Sequence, residues 1–268
     1  MSNDSSNPAK APHPPAATPV APVYTKAAWG PAAAIIGTAL AMLGAYAMAS
    51  ILAYLLPTAL HWSHARAEDW FNSVAGQFVF VVLAESVIVA IVLWFLHSRK
   101  ASIRAVGFHR RIAPKDVLYV AVTFGAYFIA VALATSLFKV LFHIDLDAKQ
   151  ELGFDTVISN GDKILTFMSL VIIPPLVEEF LFRGFLFTGL RTKLPFLGAT
   201  VLTSLLFASL HLAEGSGGVL WVAGIDTFIL SLFLCYLREK TGNLWAGILL
   251  HGLKNGVAFL YLYVFVAR

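Results

Sequence analysis

Charge is what this chain has least of. Only 13% of its 268 residues are Asp, Glu, Lys or Arg, about half the share found in a soluble domain. That scarcity excludes an ordinary solvated surface. Cysteine is nearly absent as well, and a single copy rules out an intrachain disulfide. Cys235 stands in an apolar segment without metal-ligand spacing and reads as core filler. No HExxH pair and no repeated ExxH pair occurs, so neither a metalloprotease helix nor a di-iron bundle is written here. No internal repeat and no soluble domain is evident. The formal charge of +4 reads as membrane topology, not as nucleic-acid binding.

What the chain does have is long apolar runs. Mean hydropathy is +0.77, and several runs reach the ~20 residues needed to cross a bilayer. They are continuous and not alternating, which argues against a porin-like barrel. The fold class is therefore all-α, a polytopic transmembrane helical bundle of about seven spans (six to eight). The spans read as Pro31–Leu56, Phe71–Leu96, Val117–Phe142, a fourth from Ile164 through two glutamates, Phe196–Leu212, Val219–Leu237 and Leu244–Val266. Residues 1–30 are rich in Pro, Ala, Ser and Asn and read as a disordered tail, not a signal peptide. Residues 31–163 then hold three amino-terminal spans, and 164–268 about four more.

Loop charge sets orientation. Arg99, Lys100, Arg104, Arg110, Arg111 and Lys115 follow the second span, Arg191 and Lys193 the fourth, Arg238 and Lys240 the sixth. The alternate loops are acidic, with Glu68 and Asp69, then Asp145, Asp147, Glu151, Asp155 and Asp162, then Glu214. The positive-inside rule makes the basic loops and the amino terminus cytoplasmic. Seven spans put the carboxyl terminus outside, in a plasma (inner) membrane if the source is bacterial.

The run Pro174-Pro175-Leu176-Val177-Glu178-Glu179-Phe180-Leu181-Phe182-Arg183 places two carboxylates and a guanidinium inside an apolar segment. Ionisable groups at that depth are costly and mark function. Glu179 and Arg183 are four apart and share a helix face in the favourable order. Glu178 lies about 100° round the helix. Arg183 is therefore expected to hold Glu179 ionised, leaving Glu178 to face a cavity as a desolvated general base. The two prolines remove backbone hydrogen bonds one turn back, as in a kinked or broken helix that meets a water-filled cavity or in a simple kink.

Phe207 and His211 share a face, as do His251 and Asn255. Phe207 is placed to fix the His211 ring, and His211 to share a water with Glu178. His251 and Asn255 are placed to hold a substrate carbonyl or the oxyanion formed from it. Taken alone, either histidine also fits a packing or interhelical hydrogen-bonding role.

Glu178-Glu179-x-x-x-Arg183, Phe207-x-x-x-His211 and His251-x-x-x-Asn255, in that order, resemble the CAAX protease and bacteriocin-processing family (CPBP or Abi), which includes the type II CAAX prenyl endopeptidases. The similarity covers roughly residues 164–260. It implies that 164–268 is the catalytic core of an intramembrane endopeptidase cutting near the cytoplasmic face. By the same resemblance Glu178 is the base that activates water, His211, His251 and Asn255 complete the catalytic set, and Glu179 and Arg183 support it. Ser231 stands where the family often has a small glycine-type residue.

No cofactor is expected, although zinc remains possible chemically, with Glu178, His211 and His251 as its ligands. The expected partners are a peptide or membrane-protein substrate and the lipid bilayer. That substrate is expected to enter from the cytoplasmic side or laterally between helices. Two other readings stay open: a proton-coupled transporter, since buried carboxylates and histidines also form proton relays, and a non-catalytic immunity or scaffold protein.

Glu85 in the second span and Asp226 in the sixth each need a partner at depth. Glu85 is expected to pair with Arg183 or a histidine, to line a substrate path, or to hydrogen-bond as a neutral acid. Lys139 is expected to snorkel, and His61, His64, His97, His109 and His143 to sit at span ends or in loops. One tension remains. At ~1.5 Å per residue His211 lies some 20–25 Å from a cytoplasmic start at Phe196, but His251 only about 12 Å from its own. A break in the chain between Gly184 and Leu194 would resolve it.

Overall fold

The structure, a computed structural model, describes residues 27–142, 154, 156–212 and 219–266. The tail over 1–26 lies outside the described residues, as do His143, Asp145, Asp147, Glu151, Asp155 and Glu214. Among the described residues the chain forms eight helices and no strand. These are α1 (Pro31–Ala59), α2 (His64–Asn72), α3 (Val74–Ser98), α4 (Pro114–Phe142), α5 (Asn160–Arg191), α6 (Phe196–His211), α7 (Trp221–Thr241) and α8 (Trp245–Phe265). Six of them are long and apolar enough to cross a bilayer, and α6 is a shorter apolar helix. The protein is an integral, multi-pass membrane protein built as a helical bundle.

Helix α2 was not expected, because a short polar segment carries no span signal. It follows from local chemistry: the Ser63 hydroxyl accepts from Arg66 N–H at 3.3 Å and caps it. Trp62, Trp70 and Phe71 pack on one another there, with Arg66 over the Trp62 ring. Ser73 then caps α3. Helix α5 begins four residues ahead of Ile164, because Ser159 and Asp162 form a capping box.

Helices α5 and α7 are the most enclosed, and α1, α3, α4 and α8 are the least. Every residue from Glu179 to Leu190 is buried. Two stretches of α5, Met168–Ile172 and Glu179–Leu186, widen to π-helix. The first lies immediately before Pro174 and Pro175, whose missing N–H groups deprive Leu170 and Val171 of their helical donors. In the second, side chains take up the released carbonyls. Trp29 Nε1 donates to Phe185 O at 3.0 Å, while Arg238 Nε and Thr188 Oγ1 both donate to Arg183 O at 3.3 Å.

Three readings of the sequence change here. The chain does not break between Gly184 and Leu194: α5 stays helical to Arg191 and only then turns. The depth conflict is resolved from the other side, by a deep start for α8. A Cβ on Gly184 would lie 3.3 Å from Leu244 Cδ1 and 3.0 Å from Val106 O. Helix α8 thus begins level with Gly184, seven residues or roughly 10 Å inward of Arg191. Second, Arg238 is not a loop charge but is 1% exposed, bonded to Arg183 O, Thr188 and the Gly242 carbonyl. Third, the basic loop 99–113 folds into the bundle. Gly107 turns it at φ +113°, its carbonyl meets Leu244 N–H, and Arg110 holds Asp116 through two bonds of 2.6 and 2.8 Å. Burial and the Arg238 and Arg110 charges hold His109 below its ordinary value. It therefore stays neutral near pH 7, and the positive charge of this end comes from its Lys and Arg side chains.

Candidate active site

A cavity of about 490 Å³ lies among α3, α5, α6, α7 and α8. Its walls include Glu178, His211, His251 and Asn255, so the fold brings all four candidate residues to one space. The volume falls within the range of ligand-binding pockets and has room for a short extended peptide. Glu178 keeps 24% of its side chain exposed there, whereas Glu179 and Arg183 keep none.

Behind the cavity runs a chain of polar contacts. Arg183 Nη1 donates to Glu179 Oε1 at 2.8 Å. His251 Nδ1 meets the same oxygen at 3.3 Å, and His251 Nε2 lies 3.7 Å from Glu178 Oε2. A proton on Nδ1, directed at Glu179, leaves Nε2 facing Glu178 and the cavity. The second face of Arg183 stacks on Phe207, 4.5 Å from the ring centroid. Phe207 in turn touches both histidines, with ring centroids 4.8 Å from His211 and 6.0 Å from His251. His211 Nδ1 is fixed on the Phe207 carbonyl at 3.0 Å.

Asn255 faces the cavity but commits its amide. Nδ2 donates to Leu170 O at 2.9 Å, the carbonyl that Pro174 leaves without a helical donor. It thereby ties α8 to the widened turn Met168–Ile172 of α5, about two turns ahead of Glu178.

Gly247 stands inside α8, where alanine is intrinsically favoured by about 1 kcal/mol. Its absent side chain explains the choice: a Cβ there would lie 2.8 Å from Glu179 Oε2. Gly247→Ala is expected to push that carboxylate away from His251 and to slow catalysis by roughly 10- to 100-fold, the scale of an ångström's misplacement. Unchanged turnover in Gly247→Ala would remove Glu179 from the positioning of His251.

The intramembrane charges now have addresses. Asp226 pairs with Lys254 at 3.0 Å and accepts from the Tyr127 hydroxyl, and both members of the ion pair line the cavity. Lys254 was missed in the sequence, although a lysine three residues after His251 in an apolar helix was the available signal. Glu85 does not pair with Arg183, and its Oε2 has no hydrogen-bond partner among the described residues. It lines the cavity and also a shallow groove against Val82, Ile173 and Val177 between α3 and α5. Cys235 is buried beside Arg183 and Ser231.

The zinc ligands read from the sequence, Glu178, His211 and His251, all line this cavity. Among the described residues no three His, Cys, Asp or Glu side chains gather as a metal-binding group. Glu179 holds His251 Nδ1 at 3.3 Å, and Glu178 Oε2 stands 3.7 Å from Nε2, beyond hydrogen-bond length.

No curated protein and no solved structure matches the chain. A family model does. Residues 160–257 match the model described as type II CAAX prenyl endopeptidase Rce1-like, and the matched stretch contains Glu178, Glu179, Arg183, Phe207, His211, His251 and Asn255. The resemblance read from the three motifs therefore stands: over this stretch the chain is similar to the Rce1-like type II CAAX prenyl endopeptidases.

Proposed function

We propose that this protein is an intramembrane endopeptidase that hydrolyses peptide bonds of membrane-associated or tail segments with an activated water. The observation that carries the reading is the partly exposed carboxylate of Glu178, in a cavity shared with two histidines and backed by the Arg183–Glu179–His251 chain. The Rce1-like match over 160–257 supports a protease of the CAAX type in general.

In this mechanism Glu178 accepts a proton from a water held between it and His211. The hydroxide attacks the scissile carbonyl. Charge develops on the carbonyl oxygen, and the second amide hydrogen of Asn255 is within the same cavity to receive it. Glu178 then returns its proton to the leaving amine. Arg183 fixes Glu179, and Glu179 fixes the His251 ring, whose Nε2 stands 3.7 Å from Glu178. Asn255 acts largely through Leu170, by holding α8 to α5 about two turns ahead of the base. No step calls for a metal or another cofactor.

The basic end of the bundle faces the cytoplasm by the positive-inside rule, which places the amino terminus there and, in a bacterial source, the protein in the plasma membrane.

Purified protein is to be incubated with a panel of membrane-tethered peptides, with and without a chelator. Internal cleavage at equal rates in both conditions is the expected result. Chelator-sensitive cleavage would overturn the metal-free mechanism, and a panel left intact would count against the peptidase.

A further inference from the structure

The mechanism leaves one carboxyl of the cavity unused. Glu85 reaches the cavity from the middle of α3, and its Oε2 is buried without a hydrogen-bond partner among the described residues. Ser169 on α5 lines the same cavity and is 0% exposed, and its Oγ is likewise unpartnered there. By contrast, Asp226 holds Lys254, Thr227 turns back onto Ala223 O, and Asn255 donates to Leu170 O.

A hydroxyl inside a helix ordinarily donates to a carbonyl one turn back, and Ser86, Ser209 and Thr227 do so. Ser169 lies in the widened turn Met168–Ile172 and makes no such bond. A polar atom buried in this way costs free energy until something pairs with it. Orphaned oxygens also occur away from the cavity, as at Thr166 and Ser204. Among the described residues, however, only Glu85 and Ser169 combine an orphaned oxygen with a place in the cavity wall.

Charge is not what Glu85 supplies. The cations of the site are already engaged, Arg183 by Glu179 and Lys254 by Asp226. A lone carboxylate at membrane depth is costly, so Glu85 stands in the wall as an uncharged carboxyl with one O–H donor and one carbonyl acceptor. That pair of groups suits a peptide backbone. In an extended segment the N–H and C=O of one residue point to the same side, and a side chain with one donor and one acceptor can take both. Ser169 and Glu178 are nine residues apart on α5, roughly 14 Å, which is the length of about four extended residues. Glu85 stands between these two points, beside Ile173 and Val177.

We propose that Glu85 and Ser169 hold the backbone of the bound peptide, so that the segment lies along α5 with its scissile bond at Glu178. The assignment rests on the peptidase reading, because a peptide must occupy the cavity. It makes both residues substrate-binding residues and gives neither a proton to carry. Every peptide has the same backbone, so the hold is independent of side-chain sequence.

The test measures binding without turnover. Full-length Glu178→Gln protein in lipid nanodiscs is titrated with fluorescent membrane-tethered peptides of differing sequence. Adding Glu85→Leu is expected to weaken binding by roughly 5- to 100-fold for all of them, the scale of leaving buried peptide groups unpaired. Adding Glu85→Gln instead keeps an acceptor and supplies N–H donors, and is expected to restore most of that affinity. Ser169→Ala is expected to weaken binding several-fold. Without peptide, Glu85→Leu is expected to melt no lower than its parent, since Val82, Ile173 and Val177 line the groove behind it. Four results would each overturn the proposal: affinity unchanged by Glu85→Leu or by Ser169→Ala, a loss confined to peptides bearing Lys or Arg, a Glu85→Gln protein as weak as Glu85→Leu, or a lowered melting temperature in Glu85→Leu. A parent that bound none of the peptides would overturn the peptidase reading, and this assignment with it.

Discussion

Glu178→Gln is expected to lower peptide cleavage by about 10²- to 10⁴-fold, the usual contribution of a general base, and to leave the bundle folded. The amide keeps the shape of the side chain but cannot take a proton from water at neutral pH. Stability is expected to hold because Glu178 is partly exposed to the cavity and its nearest ionic neighbour, His251, lies 3.7 Å away. The change therefore strands no buried charge. Initial rates on tethered peptides, read beside a thermal melt of the same preparation, separate the two effects. A Glu178→Gln protein that still cleaves at the wild-type rate would dispose of the mechanism. A protein that neither cleaves nor folds would show Glu178 to be a structural residue.

Arg183→Met should do the reverse and act first on stability. Both members of the Arg183–Glu179 pair are 0% exposed. Removing one partner of a buried pair costs about 3–5 kcal/mol, because the other charge stays behind uncompensated. The guanidinium also packs on Phe207, which touches both histidines. Arg183→Met is thus expected to unfold at a markedly lower temperature in detergent and to be inactive. The double variant Glu179→Gln/Arg183→Met is the informative companion. With neither charge of the buried pair left, it should recover most of the stability but little of the activity, since His251 has lost its anchoring carboxylate. Single and double variants of equal stability would mean that the pair is not the electrostatic unit its geometry describes.

Much of the bundle was legible in the chain. A continuous apolar run of about twenty residues has one outcome in a bilayer, because only a helix satisfies its own backbone there. The runs that became α1, α3, α4, α7 and α8 were therefore readable to within a few residues. Helix α2 was not, since a capped polar turn at the interface has no hydropathy signal. Within the site, spacing carried the local part. A four-residue step puts Glu179 with Arg183 and Phe207 with His211, whatever surrounds them.

The sequence by itself thus determined an all-helical membrane bundle, the order of its spans, the sign of its two ends and the side chains that share a helix face. Only the tertiary structure decided how far each helix slides along its neighbours. Helical periodicity specifies rotation about an axis but not translation along it. That translation was set by contacts between residues far apart in the chain: Leu244 against Gly184, Arg238 on the carbonyl of Arg183, and Asn255 on the carbonyl that Pro174 leaves free. Those contacts start α8 deep enough for His251 to meet Glu179 and keep α5 unbroken through Gly184.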